Sequence, residues 1–279
     1  MADESMAWAM RPPRPPKELS DKKAHSARMY DVYLGGKTNY PADRQAAEQV
    51  KTVWPTVQIA ARANRSFMHR ATGVLARDHG IRQWLDIGTG IPTEPNLHQV
   101  AQSILPQAHV VYADHDEIVL AYARALMDST PEGRTAYVQG DLRHPQDILT
   151  APDLLDTLDL DQPVALSLNA VLHFMTDDDR PYDIVATLLD ALPSGSAIAL
   201  SHCTPEFEPE TWAGIADIYN NGGTPVQFRT KPEFERFFDG LDLLEPGITV
   251  CHRWRPDGGP ESELTDGAVS LWGGVALKP

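Results

Sequence analysis

The sequence predicts an α/β protein, a mostly parallel sheet with helices on both faces, preceded by a helical segment. Three observations carry that prediction. From Ile81 onward, short apolar runs alternate with helical stretches, the β-α-β-α order that builds a parallel sheet. From about Leu19 to Gly80 the apolar spacing is helical and strand-like runs are absent. The last two apolar runs are joined by the loop RWRPDGGPESELTDG without a helix, and strands joined this way pair antiparallel. The chain therefore divides into a Pro-rich tail (1–18), a helical N-terminal cap (19–80) and a sheet domain (81–279).

The tail contains RPPRPP, a polyproline-type segment. Ser20 is the predicted N-cap of a helix running to Leu34, which Gly35-Gly36 ends in a left-handed turn. A second short helix follows Pro41. Pro55 opens a third, whose Ala60, Ala63, Phe67, Ala71 and Leu75 recur at helical spacing until Asp78-His79-Gly80. Strands are predicted at Gln83–Ile87, His109–Ala113, Thr135–Gln139, Val164–Leu168 and Ala197–Ser201. Between and after them come helices at Pro95–Ile104, Glu117–Met127, Arg180–Ala191 and Pro209–Tyr219. Leu243–Cys251 and Ala268–Leu277 are the final antiparallel pair.

Composition narrows the function. Lys and Arg number 24 against 39 Asp and Glu, a formal charge of −15. Affinity for nucleic acid and anionic membranes comes largely from cationic side chains, so neither is an expected partner. No run of apolar residues is long enough to span a bilayer, and the N-terminus lacks the apolar stretch of a secretory signal, so a cytoplasmic location is expected. Cys203 and Cys251 are the only cysteines, which excludes a disulfide scaffold and fits a reducing compartment. HExxH, CxxC and a Walker lysine loop are all missing, so no metal site is predicted. Asp177-Asp178-Asp179 read as a solvated helix start.

The most informative segment is WLDIGTGIPTEP, residues 84–95. A buried strand ends at Asp86-Ile87, and Gly88 and Gly90 form a turn through which backbone approaches a ligand at the strand's carboxyl end. The third glycine of a dinucleotide fingerprint is replaced by Thr93, and Glu94 puts negative charge where phosphates would lie. A cofactor without phosphates and with a positive centre fits better, and S-adenosylmethionine has both properties. Asp114, at the end of the second strand, can accept both hydroxyls of a ribose. Asp116 reads equally as a second such acceptor or as a helix N-cap. After the third strand, Asp141 can accept an adenine amine while Leu142 covers a ring edge. Asn169 ends the fourth strand and His173 follows on a helical turn, either as a proton acceptor or as a packed histidine.

Taken together, these segments resemble class I S-adenosylmethionine-dependent methyltransferases. The likeness is closer to the S-adenosyl methyltransferase family formerly described as a domain of unknown function. It is carried by ARMYDVYLGGKTNYPADRQAAE (27–48), ARANRSFMHRA (61–71), QWLDIGTGIPT, VVYADHDEIVLAYARALM and NAVLHFMTDDD. The resemblance implies a Rossmann-like, seven-stranded, mostly parallel sheet with one antiparallel strand and a helical N-terminal cap. It also implies cofactor contacts at Asp86, Gly88, Gly90, Asp114, Asp141, Leu142 and Asn169. AVLHFMTDD is similar to the VLHDW element of small-molecule O-methyltransferases, whose histidine is a base in some members, although Phe174-Met175 replaces the Asp-Trp. In the N-terminal signature, Tyr30 and Tyr33 share a helix face and Arg65 is a candidate clamp for the cofactor's carboxylate. These residues equally suit packing of cap on sheet. The expected activity is methylation of a small molecule at oxygen or nitrogen, the alternative being a non-catalytic S-adenosylmethionine-binding regulator.

Overall fold

The structure, a computed structural model, describes residues 23–258 and 263–279. The predicted Pro-rich tail lies outside the described residues, as does Ser20. Three helices come first: α1 (Ser26–Leu34), α2 (Pro41–Val53) and α3 (Val57–Asp78). Residues 23–25 are not helical, so α1 starts later than predicted and His25 takes the cap, its ring accepting the Ala27 amide at 3.3 Å. Gly35 ends α1 at φ 81°, the left-handed turn expected of it. A Cβ on Gly36 would fall 1.9 Å from Asp31 Oδ1, so only glycine lets the chain pass that carboxylate.

The entry to α2 is built on a buried charge. Asp43 accepts the amides of Tyr40 at 2.8 Å and His25 at 2.9 Å, and it pairs with Arg28 Nε at 2.8 Å. Both charged side chains are almost wholly buried. Their burial is tolerable only because every partner is present.

The sheet follows: β1 (Gln83–Ile87), α4 (Leu97–Ile104), β2 (His109–Asp114), α5 (Glu117–Leu126), β3 (Arg134–Gln139), then the short α6 (Pro145–Leu149) and α7 (Pro152–Leu155). Next come β4 (Ala165–Asn169), α8 (Pro181–Asp190), β5 (Ala197–Cys203), α9 (Pro209–Asn221) and α10 (Lys231–Glu235). The chain ends with β6 (Asp242–Leu243), β7 (Thr249–Val250), α11 (Asp266–Val269) and β8 (Leu271–Leu277). The strand order is β3-β2-β1-β4-β5-β8-β6, with β7 also on β8. β1 to β5 are parallel, and β8 runs antiparallel to its neighbours.

One predicted strand is not continuous. Leu243–Cys251 is interrupted at 244–248, leaving β6 and β7 as two short pieces on the same edge of β8. The Glu245-Pro246-Gly247 turn leaves the ladder, because proline cannot donate to it, and closes with Gly247 N–H on Leu244 O at 2.8 Å. Eight strands thus occupy the seven expected positions. The other predicted boundary, Ala268, moves to Leu271 because Thr265 caps the turn α11.

Strand order reverses between β1 and β4, and the crevice beyond their carboxyl ends is where an open α/β sheet binds ligands. One apolar core, including Ala63, Phe67, Ala71 and Leu75 of α3, packs the helical segment and α4, α5 and α9 onto one face of the sheet. A second, including residues of α6, α7, α8 and α10, covers the other face. Among the described residues, no helix is long and apolar enough to cross a membrane.

Asp43→Ala strands the buried Arg28 guanidinium and removes acceptors from two amides. It should lower stability by about 3–5 kcal/mol, the cost of breaking a buried pair. Chemical denaturation monitored by tryptophan fluorescence reads this loss.

Candidate functional site

A cavity of about 710 Å3 opens where the carboxyl ends of β1 to β5 meet α1, α2, α3 and α9. Each side chain singled out from sequence lines it: Tyr30 and Arg65 from the helical segment, Asp86, Gly88, Gly90 and Asp114 from the first two strand ends, Asp141 and Leu142 after β3, and Asn169 and His173 after β4.

The glycine turn is shaped by its backbone. Gly88 has φ 76° and Gly90 has φ 66°, both in the left-handed region. A Cβ on Gly88 would sit 2.5 Å from Val171 Cγ2, whereas one on Gly90 would meet nothing within 4 Å. The turn is therefore clasped on the β4 side and leaves room beside Gly90. Asp114 closes it from β2, with Oδ2 accepting the Gly90 amide at 3.1 Å and Oδ1 accepting the Asp116 amide at 3.0 Å. A carboxylate has about four acceptor sites, so two amide bonds fix its orientation and leave lone pairs for a diol. Asp116 caps α5, accepting the Ile118 amide at 2.8 Å, and its other oxygen lies 3.4 Å from His25 Nδ1 and 3.7 Å from Arg28. The N-cap reading is the one its contacts show, and the approach of Arg28 links α1 to the strand ends.

Two expected roles meet competition. Arg65 donates from one terminal nitrogen to the carbonyls of Thr93 and Pro95, the latter at 2.7 Å, so it pins the loop after the glycine turn. Asp141 accepts the Arg143 amide at 2.9 Å and faces the Arg143 guanidinium at 3.2 Å, which also holds Asp179 at 2.9 Å.

Asp86 anchors a buried relay. Its Oδ1 accepts from Ser167 Oγ at 2.7 Å, and Ser167 Oγ accepts from Asn169 Nδ2 at 2.7 Å. Because the serine proton is spent on Asp86, the Asn169 amide nitrogen must face the serine, which leaves Asn169 Oδ1 buried and without a donor. Burial pushes the Asp86 carboxyl up to about 6, against the opposing pull of Ser167 and the Arg65 guanidinium.

A second relay ties the helices to the sheet. Asn64 Nδ2 donates to Tyr30 Oη at 3.0 Å, Ser201 Oγ donates to Asn64 Oδ1 at 2.5 Å, and the Ala170 amide donates to Ser201 Oγ at 2.9 Å. Tyr30 Oη in turn donates to Ala61 O at 3.0 Å, and burial pushes its phenol up to about 12.

His173 sits on a 3-10 turn, Leu172–Phe174, buried against Phe174, His202 and Phe228, with its Nδ1 unpartnered. Burial, and then the nearby Arg229 charge, push the ring down to about 3. It is therefore a neutral imidazole at ordinary pH, and proton uptake, which favours a base tuned near the working pH, is disfavoured there.

Sequence reasoning missed Arg229, which is fully buried behind His173. It donates to Leu172 O at 3.3 Å and Met175 O at 3.2 Å and pairs with Asp177 at 2.8 Å, fixing the loop after β4. It also missed the aromatic wall of Trp54, Trp212 and Phe228. No local pattern marks these residues, which come from separate elements.

The sequence pattern of the S-adenosyl methyltransferase family matches residues 13–279. A DUF574 family protein from Streptomyces avermitilis is 49% identical, over 93% of this chain and 99% of its own, with a TM-score of 0.91. A protein from Thermobifida fusca, named as a candidate methyltransferase, is 36% identical over 95% of this chain and 98% of its own, with a TM-score of 0.87. The plantazolicin methyltransferase BamL, solved with a triazolic desmethylPZN analog and SAH, shares the fold at 10% identity and a TM-score of 0.51, over 90% of this chain and 95% of its own. Among curated proteins, polyprotein P1234 of Alphavirus salmon subtype 1 is 31% identical over 131 residues, 41% of this chain and only 5% of the polyprotein.

The buried histidines make stability depend on pH. The unfolded chain takes up a proton at His173 near 6.5, whereas the folded site does so only near 3, so stability is lost as pH falls below 6.5. His202, also lowered by burial, adds to this, while Asp86, raised to about 6, works in the opposite direction between about 6 and 3.8. The stability lost between pH 7 and 5 should shrink in His173→Leu by on the order of 1 kcal/mol per pH unit below the histidine range. Denaturant titrations of both proteins at the two pH values measure it.

Proposed function

The chain belongs to the S-adenosyl methyltransferase family, and from that premise we propose that it methylates a small molecule, at oxygen or nitrogen, within the cavity beneath its helical segment. The observation that carries this reading is that acidic strand ends and an aromatic wall line one cavity. When bound, S-adenosylmethionine supplies an electrophilic methyl group on a charged sulfur.

Asp114 is the proposed ribose ligand, since its orientation is fixed by two amides and lone pairs remain. Gly88 and Gly90 offer backbone at close range. Asp141 and Leu142 are the proposed adenine contacts, with Arg143 holding Asp141 in place. Asp86, Asn169 and Arg65 surround the end suited to an amino acid: a carboxylate for its ammonium, an amide oxygen, and a guanidinium that also fixes the loop. Tyr30 positions Asn64 and through it the loop after β4.

The chain's own contribution to rate is alignment and exclusion of water, which together account for much of the barrier reduction in such transfers. His173 is proposed as a neutral wall of the acceptor space and not as its proton acceptor. The net charge of −15 supports a small-molecule acceptor over a nucleic acid.

Calorimetry should give a clear binding isotherm for S-adenosylmethionine and none for NAD; the reverse pattern overturns the reading. Asp114→Ala should weaken cofactor binding by about 1.5–3 kcal/mol, the range for hydrogen bonds to a charged group. Its thermal unfolding should stay close to that of the parent, which separates a lost contact from a lost fold.

A further inference from the structure

We propose that the methyl acceptor is a planar, uncharged aromatic molecule that presents a nitrogen lone pair to the methyl group. This deepens the methyl-transfer reading above and rests on it.

The first observation is how charge is distributed around the cavity. Every Asp, Glu, Lys and Arg that lines it lies between Lys23 and Arg143, and the lining residues from Asn169 onward include none. The half built by the ends of β4 and β5 and by α9 therefore has no charged side chain in its lining, and an ion entering it would lose hydration that neutral groups replace only in part. Lys23 is exposed beside Gly223, and the buried Arg229 guanidinium behind His173 is already paired with Asp177 at 2.8 Å.

The second is shape. Trp212 packs against Phe228 at 4.5 Å with rings inclined by 72°, and against Trp54 at 4.8 Å. Phe174 meets Tyr219, also of α9, edge-on at 5.8 Å. Inclined aromatic walls of this kind suit a flat ring, which they contact by face and edge.

The third is the polar equipment. Asn169 lines the cavity at the end of β4, its orientation set by Ser167 and Asp86, with Oδ1 lacking a donor. The titratable groups facing this half are Tyr33 from α1, His173 after β4, Cys203 of β5 and Tyr219 of α9. Burial keeps all of them neutral: Tyr219 is pushed up to about 12, Tyr33 and Cys203 are raised well above their usual ranges, and His173 is pushed down. Asp86 is engaged by Ser167 and faces Arg65. A phenol would need one of these groups to take its proton. A neutral aryl nitrogen needs none: its lone pair forms the N–CH3 bond, the S–CH3 pair returns to sulfur, and the extra proton on nitrogen then leaves to water.

The test uses the full chain loaded with S-adenosylhomocysteine. Failure of that loading would count against the methyl-transfer reading itself. Once loaded, 1-naphthylamine, 1-naphthol, 1-naphthoate and 1-naphthylmethylammonium are compared by calorimetry. 1-Naphthylamine should bind at least tenfold tighter than either ion. Phe228→Ala should weaken it at least tenfold with S-adenosylhomocysteine affinity unchanged, and Trp212→Leu, checked for folding by circular dichroism, should repeat the effect. With S-adenosylmethionine, N-methyl-1-naphthylamine should form at a rate independent of pH between about 6.5 and 9. Equal or tighter binding of an ion, preferential methylation of 1-naphthol, or absence of any N-methyl product from a bound amine would each overturn the proposal.

Discussion

The hydrogen bond from Ser201 to Asn64 joins two parts of the chain that are far apart in sequence, and the cavity depends on it. Ser201 lies on β5 and Asn64 on α3, both fully or nearly buried. Through Asn64 the bond reaches Tyr30 on α1, and through the Ser201 hydroxyl oxygen it reaches the Ala170 amide after β4. A buried polar group left without its partner costs about 1–3 kcal/mol, so each member of the relay enforces the next. The helical segment is thereby held at a fixed height over the strand ends, with Tyr33 against Tyr219 and Trp54 packed on Trp212 of α9. The loop after β4 is pinned from the other side by Arg229, which bonds the carbonyls of Leu172 and Met175. The wall carrying His173 is thus fixed at both ends.

Much of this was legible in the sequence wherever the signal was local. β1 runs from Gln83 to Ile87 as the apolar run predicts, and the glycine turn after it adopts the expected positive φ angles. The acids at the ends of β1 and β2 fall beside one another because those strands pair in parallel, Asp86 opposite Tyr112. Locally coded boundaries failed where a competing local preference was stronger, as at Pro246, which breaks the predicted strand, and Thr265, which opens a turn before β8. What could not be read is the pairing of distant side chains. Nothing near Arg229 in sequence says that it will lie buried among the backbone carbonyls after β4. Similarly, the position of Arg65 was legible while its bonds to Thr93 and Pro95 were not, because they depend on how α3 crosses the loop.

The same division separates location from role. Sequence placed Asp141 after β3, but its carboxylate is shared with Arg143, whose guanidinium also holds Asp179 at the turn after β4. An acid expected to act alone is part of a bridge between neighbouring loops. His173 shows the opposite case. Its motif suggests a base, while burial against Phe174 and Phe228 and then the nearby Arg229 charge push its pKa down, which weakens it as a proton acceptor. A motif reports which atoms can accept a proton; burial decides whether they do at the working pH.

The separation of charge along the cavity bears directly on methyl transfer. Positive charge on the donor sulfur is spread between sulfur, methyl and acceptor as the bond changes hands, so the transition state asks less of solvation than the reactants do. Fixed charges are therefore useful where they hold the unreactive parts of the donor and costly where the methyl group must travel. In the proposed reading the sheet meets both demands through strand order. β2 and β3 lie beyond β1 on one side and deliver Asp114 and Asp141, while β4 and β5 lie on the other and deliver Asn169 and Cys203 without a formal charge. Asp86, on β1, stands at the boundary, and its bond to Ser167 on β4 turns the neighbouring Asn169 oxygen away from the serine. The reversal of strand order at β1 and β4 thus sets the line between the charged half of the cavity and its aromatic half.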